Sequence, residues 1–353
     1  MRTMLAARFE WGSKQGRRRK TAGLWWVGLV LGGILTAAAR GQACLTGEDL
    51  EAPVRAGLET AAQKYFALAA KGDVAGLKAS AIPSVAGDFS GIQAAVQDNQ
   101  NSFSKAQAAL RSMFELIAGG DAPLERAEFL CGVFGKTGQT ATSAEFVLNG
   151  LPPGQYGIVI LDVNNKAAPD DGPYALAFVL QQLSGEWKLG GLHVKALRSG
   201  GHDSSWFAER GRAFAAKGQT HNAWYYLLEA RNLATVVPFM STRLTDRLYE
   251  EAQKVTPADA PDGVPKELAG VGKVYKIKNV FAYGVAGEFH LVLKYEAADV
   301  SDSVKAFAEN QALARALLAK WPELKDGFSA IEARATEASG RDFGTVVELK
   351  DLK

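Results

Sequence analysis

The chain of 353 residues carries 40 Lys and Arg against 38 Asp and Glu, but eight of the basic residues and a single acidic one, Glu10, fall within residues 1–43. The rest, long enough for two or three domains of about 100–150 residues, holds 32 basic and 37 acidic residues and is mildly acidic. That balance argues against non-specific nucleic-acid binding, which needs basic patches to neutralise phosphates.

Residues 23–39, GLWWVGLVLGGILTAAA, form one uncharged apolar run behind Arg17-Arg18-Arg19-Lys20. A basic n-region, an apolar h-region and small residues before a cut describe a secretory signal peptide. Gly41 and Ala43 take the minus-three and minus-one places for cleavage before Cys44, with a second option after Ala39. Two alternatives stand beside it: an uncleaved membrane anchor, since the run approaches the ~17–25 residues a spanning helix needs, and a lipoprotein acylated on Cys44. The lipoprotein pattern wants Leu where Gly41 stands. Either way the mature chain is exported, periplasmic or extracellular, or held at a membrane facing away from the cytoplasm. Export makes the two cysteines, Cys44 and Cys131, read first as one disulfide; acylation of Cys44 would leave Cys131 a buried thiol.

In chain order, Val54, Leu58, Ala61, Tyr65 and Leu68 recur at helical spacing up to Gly72, and Asp73 caps a second short helix through Leu77. After Pro83 the periodicity predicts a helix from about Ser90 to Ile117, with Ile92, Val96, Leu110, Met113 and Phe114 inward. Strands follow at Leu124 to Phe134, Thr140 to Leu148, Gln155 to Val163, Tyr174 to Gln182 and Trp187 to Lys195, separated by turn residues. Helices followed by strands with short turns give α+β: N-terminal helices on one face of a curved antiparallel sheet.

The stretch AAQKYFALAAKGDVAGLKASAIP (61–83) resembles the opening helix, Gly-Asp turn and second helix of the nuclear-transport-factor-two-like superfamily. YALAFVLQQLSGEWKLGGLHV (174–194) is similar to its closing hairpin. The resemblance covers about 51–197 and implies a cone-shaped α+β domain over 44–198. In that superfamily the cone holds a ligand, an active site or neither, and no fixed catalytic residue comes with it.

Arg198-Ser199-Gly200-Gly201 reads as a linker. Beyond it, two helices around Lys217-Gly218-Gln219 resemble one tetratricopeptide repeat over about 203–233, through Gly211, Phe214, Gly218, Ala223, Leu227 and Ala230. No tandem copy follows, so a helical hairpin packed on its neighbours is expected, extended by a helix from Ser241 to Gln253; this connector spans 199–255. Residues 256–272, with Pro257, Pro261, Gly263 and Pro265, read as a linker. From 273 to 353 the order is β-β-α-β-β: a hairpin at Lys273 to Tyr283 and Glu288 to Glu296, and a helix capped by Ser301 and running through Lys320. That helix presents Val304, Phe307, Ala308, Leu317 and Leu318 to a core. Strands at Phe328 to Thr336 and Phe343 to Leu349 complete the unit.

No residue set forms a recognisable catalytic centre, metal site or cofactor motif. His202, Asp203 and His221 flank the hairpin at a spacing that matches no standard metal motif, and Asp203 reads as an N-cap. Ser204, Ser205 and Ser241 lack a nucleophile-elbow context. The acidic pairs Asp170-Asp171 and Glu250-Glu251 read as solvated. His290 shares a strand face with Val292 and Lys294, a solvent or partner face. Trp206, Trp224, Tyr225 and Tyr226 make the hairpin aromatic; they are the candidates for partner binding, against the alternative that they pack between domains. His193, Asp162 and Glu145 are the candidate polar liners of a cavity in residues 51–197, with His193 as a general base if it faces inward. The reading leans away from an enzyme, toward an exported bacterial envelope protein that binds protein partners as a scaffold or assembly factor. The alternative is a small-ligand carrier or enzyme with its cavity in the N-terminal domain.

Overall fold

The computed structural model describes residues 42–133, 140, 142–165, 172–260 and 265–352. The predicted export segment before Gln42 and the Asp170-Asp171 pair lie outside them. The chain folds as α+β with largely antiparallel sheets.

The N-terminal part runs β1 (Ala43–Thr46), α1 (Ala52–Lys71), α2 (Val74–Ala79), α3 (Pro83–Gly87), α4 (Ser90–Asp98), α5 (Gln100–Phe103) and β2 (Gln107–Ala118). It continues through β3 (Leu124–Cys131), β4 (Ala144–Leu151), β5 (Gly154–Asn164), β6 (Tyr174–Leu183) and β7 (Glu186–Ala196). Gly72 ends α1 in the left-handed conformation, φ +70°, which only a residue without Cβ takes readily. Asp73 then accepts the Gly76 N–H at 2.8 Å and caps α2.

The helix expected from Ser90 to Ile117 stops at Phe103. Its second half is β2, a central strand between β1 and β5. Ala, Leu, Met and Glu favour helix, but Phe114 and Leu116 face one layer of core while Met113 faces the other. Burial on both sides of a sheet overrides propensity.

The five-stranded sheet has the order β1-β2-β5-β6-β7. On one face Leu58, Tyr65, Leu77 and Phe103 from the helices meet Phe178 and Leu161 from the strands, and these side chains fill the layer. The other face packs Phe114, Ile158 and Ile160 against Phe129 and Phe146 of β3 and β4. This part is therefore three layers, helices on sheet on sheet. Cys44 of β1 and Cys131 of β3 are disulfide-bonded, with Cα atoms 4.9 Å apart, and the bond joins the two sheets at one corner.

Next come β8 (Arg198–Ser199), β9 (His202–Asp203), α6 (Ser204–Ala216), α7 (Thr220–Ala234), β10 (Met240–Thr242) and α8 (Arg243–Lys254). The expected linker at 198–201 is a tight β8–β9 hairpin, turned by Gly200 and Gly201 at φ +55° and +81°. Ser241 does not open α8; it pairs with Glu145 in β10, the third strand of the β10-β4-β3 sheet, and Thr242 caps the helix. The connector thus donates a strand to the N-terminal part.

The C-terminal part comprises β11 (Lys266–Gly270), β12 (Lys273–Val285), β13 (Glu288–Glu296), α9 (Ser303–Lys320), α10 (Leu324–Gly327), β14 (Ala330–Thr336) and β15 (Asp342–Glu348). They form one sheet in that strand order, antiparallel except that β13 and β14 are parallel across the α9 crossover. The expected β-β-α-β-β unit gains β11, which lies in the stretch read as a linker. Asp302, not Ser301, caps α9 by accepting the Val304 and Lys305 N–H groups. Leu317 and Leu318 are buried as expected, but Val304, Phe307 and Ala308 point to solvent and the helix buries Ala306, Asn310 and Leu313 in their place. Phe207, Phe214, Tyr225 and Leu227 of the hairpin share one continuous core with Leu291, Tyr295 and Leu317.

Candidate functional site

The three proposed cavity liners do not converge. His193 pairs across from Ala177 on the sheet face away from the helices, its ring 5.5 Å from that of Phe239. Burial pushes its pKa below the ordinary value. Asp162 is at the rim of β5, accepting from Arg111 Nε at 2.7 Å. Glu145 shares its side of β4 with Val147, opposite the inward Ala144 and Phe146. With the helix–sheet layer filled, no shared chamber joins these groups among the described residues. The N-terminal part carries instead a groove of about 410 Å³ between α1 and the β6–β7 turn, lined by Thr60, Lys64, Tyr65, Glu186, Trp187 and Lys188. Tyr65 Oη donates to the Trp187 carbonyl at 2.7 Å and fixes its floor.

The aromatic connector is core. Trp224, Tyr225 and Tyr226 are 4%, 1% and 4% exposed, so they cannot meet a partner without unfolding. Tyr226 Oη donates to the Gly327 carbonyl and its ring packs on Phe289 and Phe328. Trp206 is half-buried: the His202 ring stacks on it at 3.6 Å, with the Arg210 guanidinium 5.9 Å from its ring.

His202 and His221 lie at opposite ends of the hairpin. His221 is clamped, Nδ1 at 2.6 Å from Glu323 Oε1 and Nε2 at 2.9 Å from Asp259 Oδ1, with its ring stacked on Trp321. Burial opposes ionisation of Asp259, but hydrogen bonds from Trp321, His221 and Lys320 outweigh it and hold the carboxyl well below its usual range. This cluster locks the hairpin turn to the end of α9. Among the described residues no group of His, Cys, Asp and Glu is arranged to hold a metal ion.

The outer face of the C-terminal sheet is the remaining arrangement. Register aligns Phe281, Val292, Glu332 and Val346 in one row across four strands. Asn279, Lys294, Arg334 and Gly344 form the row on one side, and Tyr283, His290 and Ala330 the row on the other. Tyr283 Oη donates to Glu332 Oε2 at 2.6 Å; burial and that carboxylate push its pKa up to about 12. Arg334 bridges Glu332 and Asp342 at 2.6 and 2.7 Å, and Lys294 Nζ lies 5.6 Å from the centre of the Phe281 ring. Phe281 and Val346 are 37% and 48% exposed. Aromatic residues and Arg held rigidly on a sheet are what protein interfaces favour at their centres. The alternation around His290 marks this face in the sequence, but the expected solvent exposure fails there: His290 and Val292 are 6% and 2% exposed, covered by neighbouring side chains, and the rows depend on register, which alternation does not carry.

Comparison of the chain with protein-family models, with curated proteins and with solved structures returns no match in any of the three.

Proposed function

We propose that this chain is an exported protein of the bacterial envelope that acts by binding protein partners, as a scaffold or assembly factor, through the outer face of its C-terminal sheet. The observation that carries this reading is the row Phe281, Val292, Glu332 and Val346, with exposed apolar ends and a centre stiffened by Tyr283 and Arg334. The Cys44–Cys131 bond supports export, since disulfides persist outside the reducing cytoplasm. The apolar run at 23–39 points the same way. Among the described residues no helix is long and apolar enough to cross a membrane. The test is cross-linking and capture from the host envelope with wild type and Phe281→Asp. Loss of specific captured proteins at unchanged thermal stability is expected; an identical captured set overturns this use of the face.

The Trp187 groove favours a second reading, a small ligand carried on the N-terminal part. Native mass spectrometry of the protein released gently from the envelope tests it: a bound small molecule lost on Trp187→Ala supports the carrier.

A further inference from the structure

Each sheet of a folded chain ends in strands whose outward N–H and C=O groups lack a ladder, and proteins normally shorten, cover or charge such edges. Most edges here follow that rule. β1 has four residues, β10 three and β11 five. The β7 edge is covered where Leu189 N–H donates to the Ser80 carbonyl at 3.0 Å and its own carbonyl accepts from Ile82 at 2.9 Å. On β3, the Glu128 N–H donates to Gln42 Oε1 at 2.9 Å.

β15 does not follow it. The bonds Leu349 N–H to Ser329 O and Glu337 N–H to Arg341 O, both 2.9 Å, bracket its ladder with β14 and set the phase. Odd-numbered residues bond β14, so Asp342, Gly344, Val346 and Glu348 turn their backbone groups outward. None of these outward groups has a hydrogen-bond partner among the described residues. The seven residues DFGTVVE contain no Pro, no Lys and no bulge, and Val346 stands 48% exposed in the strand.

We propose that β15 is a pairing edge and that its partner is a second copy of this chain, β15 against β15, antiparallel about a two-fold axis at Val346. Outward residues must pair with outward residues, which limits the registers. A two-fold between Gly344 and Val346 sets Asp342 against Glu348, two carboxylates face to face. One at Gly344 runs Glu348 past the end of the strand into the Gly340 turn. The axis at Val346 stacks the exposed valines on each other, sets Glu348 across from Gly344, and brings Asp342 toward Lys350. The Arg334–Glu332 ion pair lies over Gly344, where a Cβ would meet Glu332 Oε1 at 3.3 Å and Arg334 Nη1 at 3.4 Å, so Glu348 of the second copy arrives at that pair and competes for the guanidinium. The pairing is isologous and closes on itself as a dimer. It shares Val346 with the partner face at Phe281 but is carried by the unpaired backbone of β15, not by that face.

The experiment is sedimentation velocity on the disulfide-bonded chain purified from its host's envelope, with Val346→Lys and Val346→Cys alongside wild type. Wild type is expected to run as a concentration-dependent dimer. Val346→Lys sets two ammonium groups on the axis and should weaken the dimer about tenfold or more, with thermal stability unchanged at concentrations low enough to hold both variants monomeric, because the site is exposed in the monomer. Val346→Cys should oxidise to a covalent dimer, since directly opposed hydrogen-bonded residues have Cα atoms about 5.5 Å apart, within disulfide reach. Val271→Cys, at a fully exposed turn, should not. A monomer at every accessible concentration overturns the proposal. So does a dimer indifferent to Val346→Lys, or equal cross-linking through Val271→Cys. A Phe281→Asp variant that loses its captured proteins yet still dimerises through β15 supports the edge as a surface distinct from the partner face, and loss of the dimer in Phe281→Asp overturns it.

Discussion

Gly284 of β12 lies against Gly200 of the β8–β9 hairpin, backbone on backbone: a Cβ on Gly284 would strike the Gly200 amide nitrogen and the Ser199 carbonyl carbon. The Gly284 N–H also donates to Ser199 Oγ at 2.7 Å. This contact seats the hairpin that leaves the N-terminal part on the C-terminal sheet. Neither side of it is a flexible side chain that could move aside. Gly284→Ala should therefore cost about 2 kcal/mol or more, and Ser199→Ala about 1 kcal/mol. Gly91, with open space around its would-be Cβ in α4, is the control and should gain up to about 1 kcal/mol as Ala. Urea denaturation reads all three.

His193 makes a pH prediction. Burial lowers its folded pKa beneath the ordinary 6.5, so the folded state resists the proton that the unfolded chain accepts. Its neutral form costs nothing above pH 6.5. As pH falls below that value, stability drops until the folded pKa is passed. His193→Phe, which keeps a ring against Phe239, should flatten this part of the stability profile. Equilibrium unfolding at pH 7.5 and 5.5 gives the comparison, and an unchanged slope would show that His193 does not contribute it.

Much of the architecture is legible in the sequence because it is local. The Gly72-Asp73 stop and cap, the turn at Gly185 and the alternation through Glu288 to Glu296 each follow from a few adjacent residues. The failures have one physical source, which is burial supplied by distant segments. Residues 107–118 have helical propensity, and only sandwiching between two cores makes them a strand. The connector's aromatic residues look like a recognition surface until Phe289 and Phe328 arrive over them. Cavity liners chosen by strand parity fail because parity gives two faces without saying which one meets the helices. The outer-face row was half visible, since alternation places Phe281, Glu332 and Val346 on faces but leaves their alignment to register.

The disulfide predicts a large response to reduction. Cys44 and Cys131 are 87 residues apart in sequence, and closing a loop of that size removes about 4–5 kcal/mol of unfolded-state entropy in the chain-entropy model, with measured values often lower. The bond also pins β1, a four-residue edge strand, to the second sheet. Reduction and alkylation, or the double Cys44→Ser, Cys131→Ser variant, should lower stability by about 2–4 kcal/mol. Hydrogen exchange should then show early opening of β1 and β3, with β13 and β14 protected as before.

The clamp on His221 makes the last prediction. Its two ring nitrogens hydrogen-bond Asp259 and Glu323 at once, so removing the ring strips both carboxylates of that contact. His221→Ala should cost about 2–3 kcal/mol, near the charged-hydrogen-bond range and above the worth of an exposed ion pair. Trp321 acts on the same carboxylate through Nε1 at 2.8 Å and stacks on the same ring. His221→Ala and Trp321→Phe should therefore be non-additive, and a double-mutant cycle that sums within about 0.5 kcal/mol would show that they are not one unit. Asp259 adds an acid limb. Its folded pKa is depressed below the ordinary 3.8, so its contribution is fully present above that value and drains away as pH falls further. Asp259→Asn should be less stable than wild type at neutral pH and converge on it in strong acid. Failure to converge would assign the loss to packing of the 255–260 segment, because an isosteric amide removes the charge while keeping the shape.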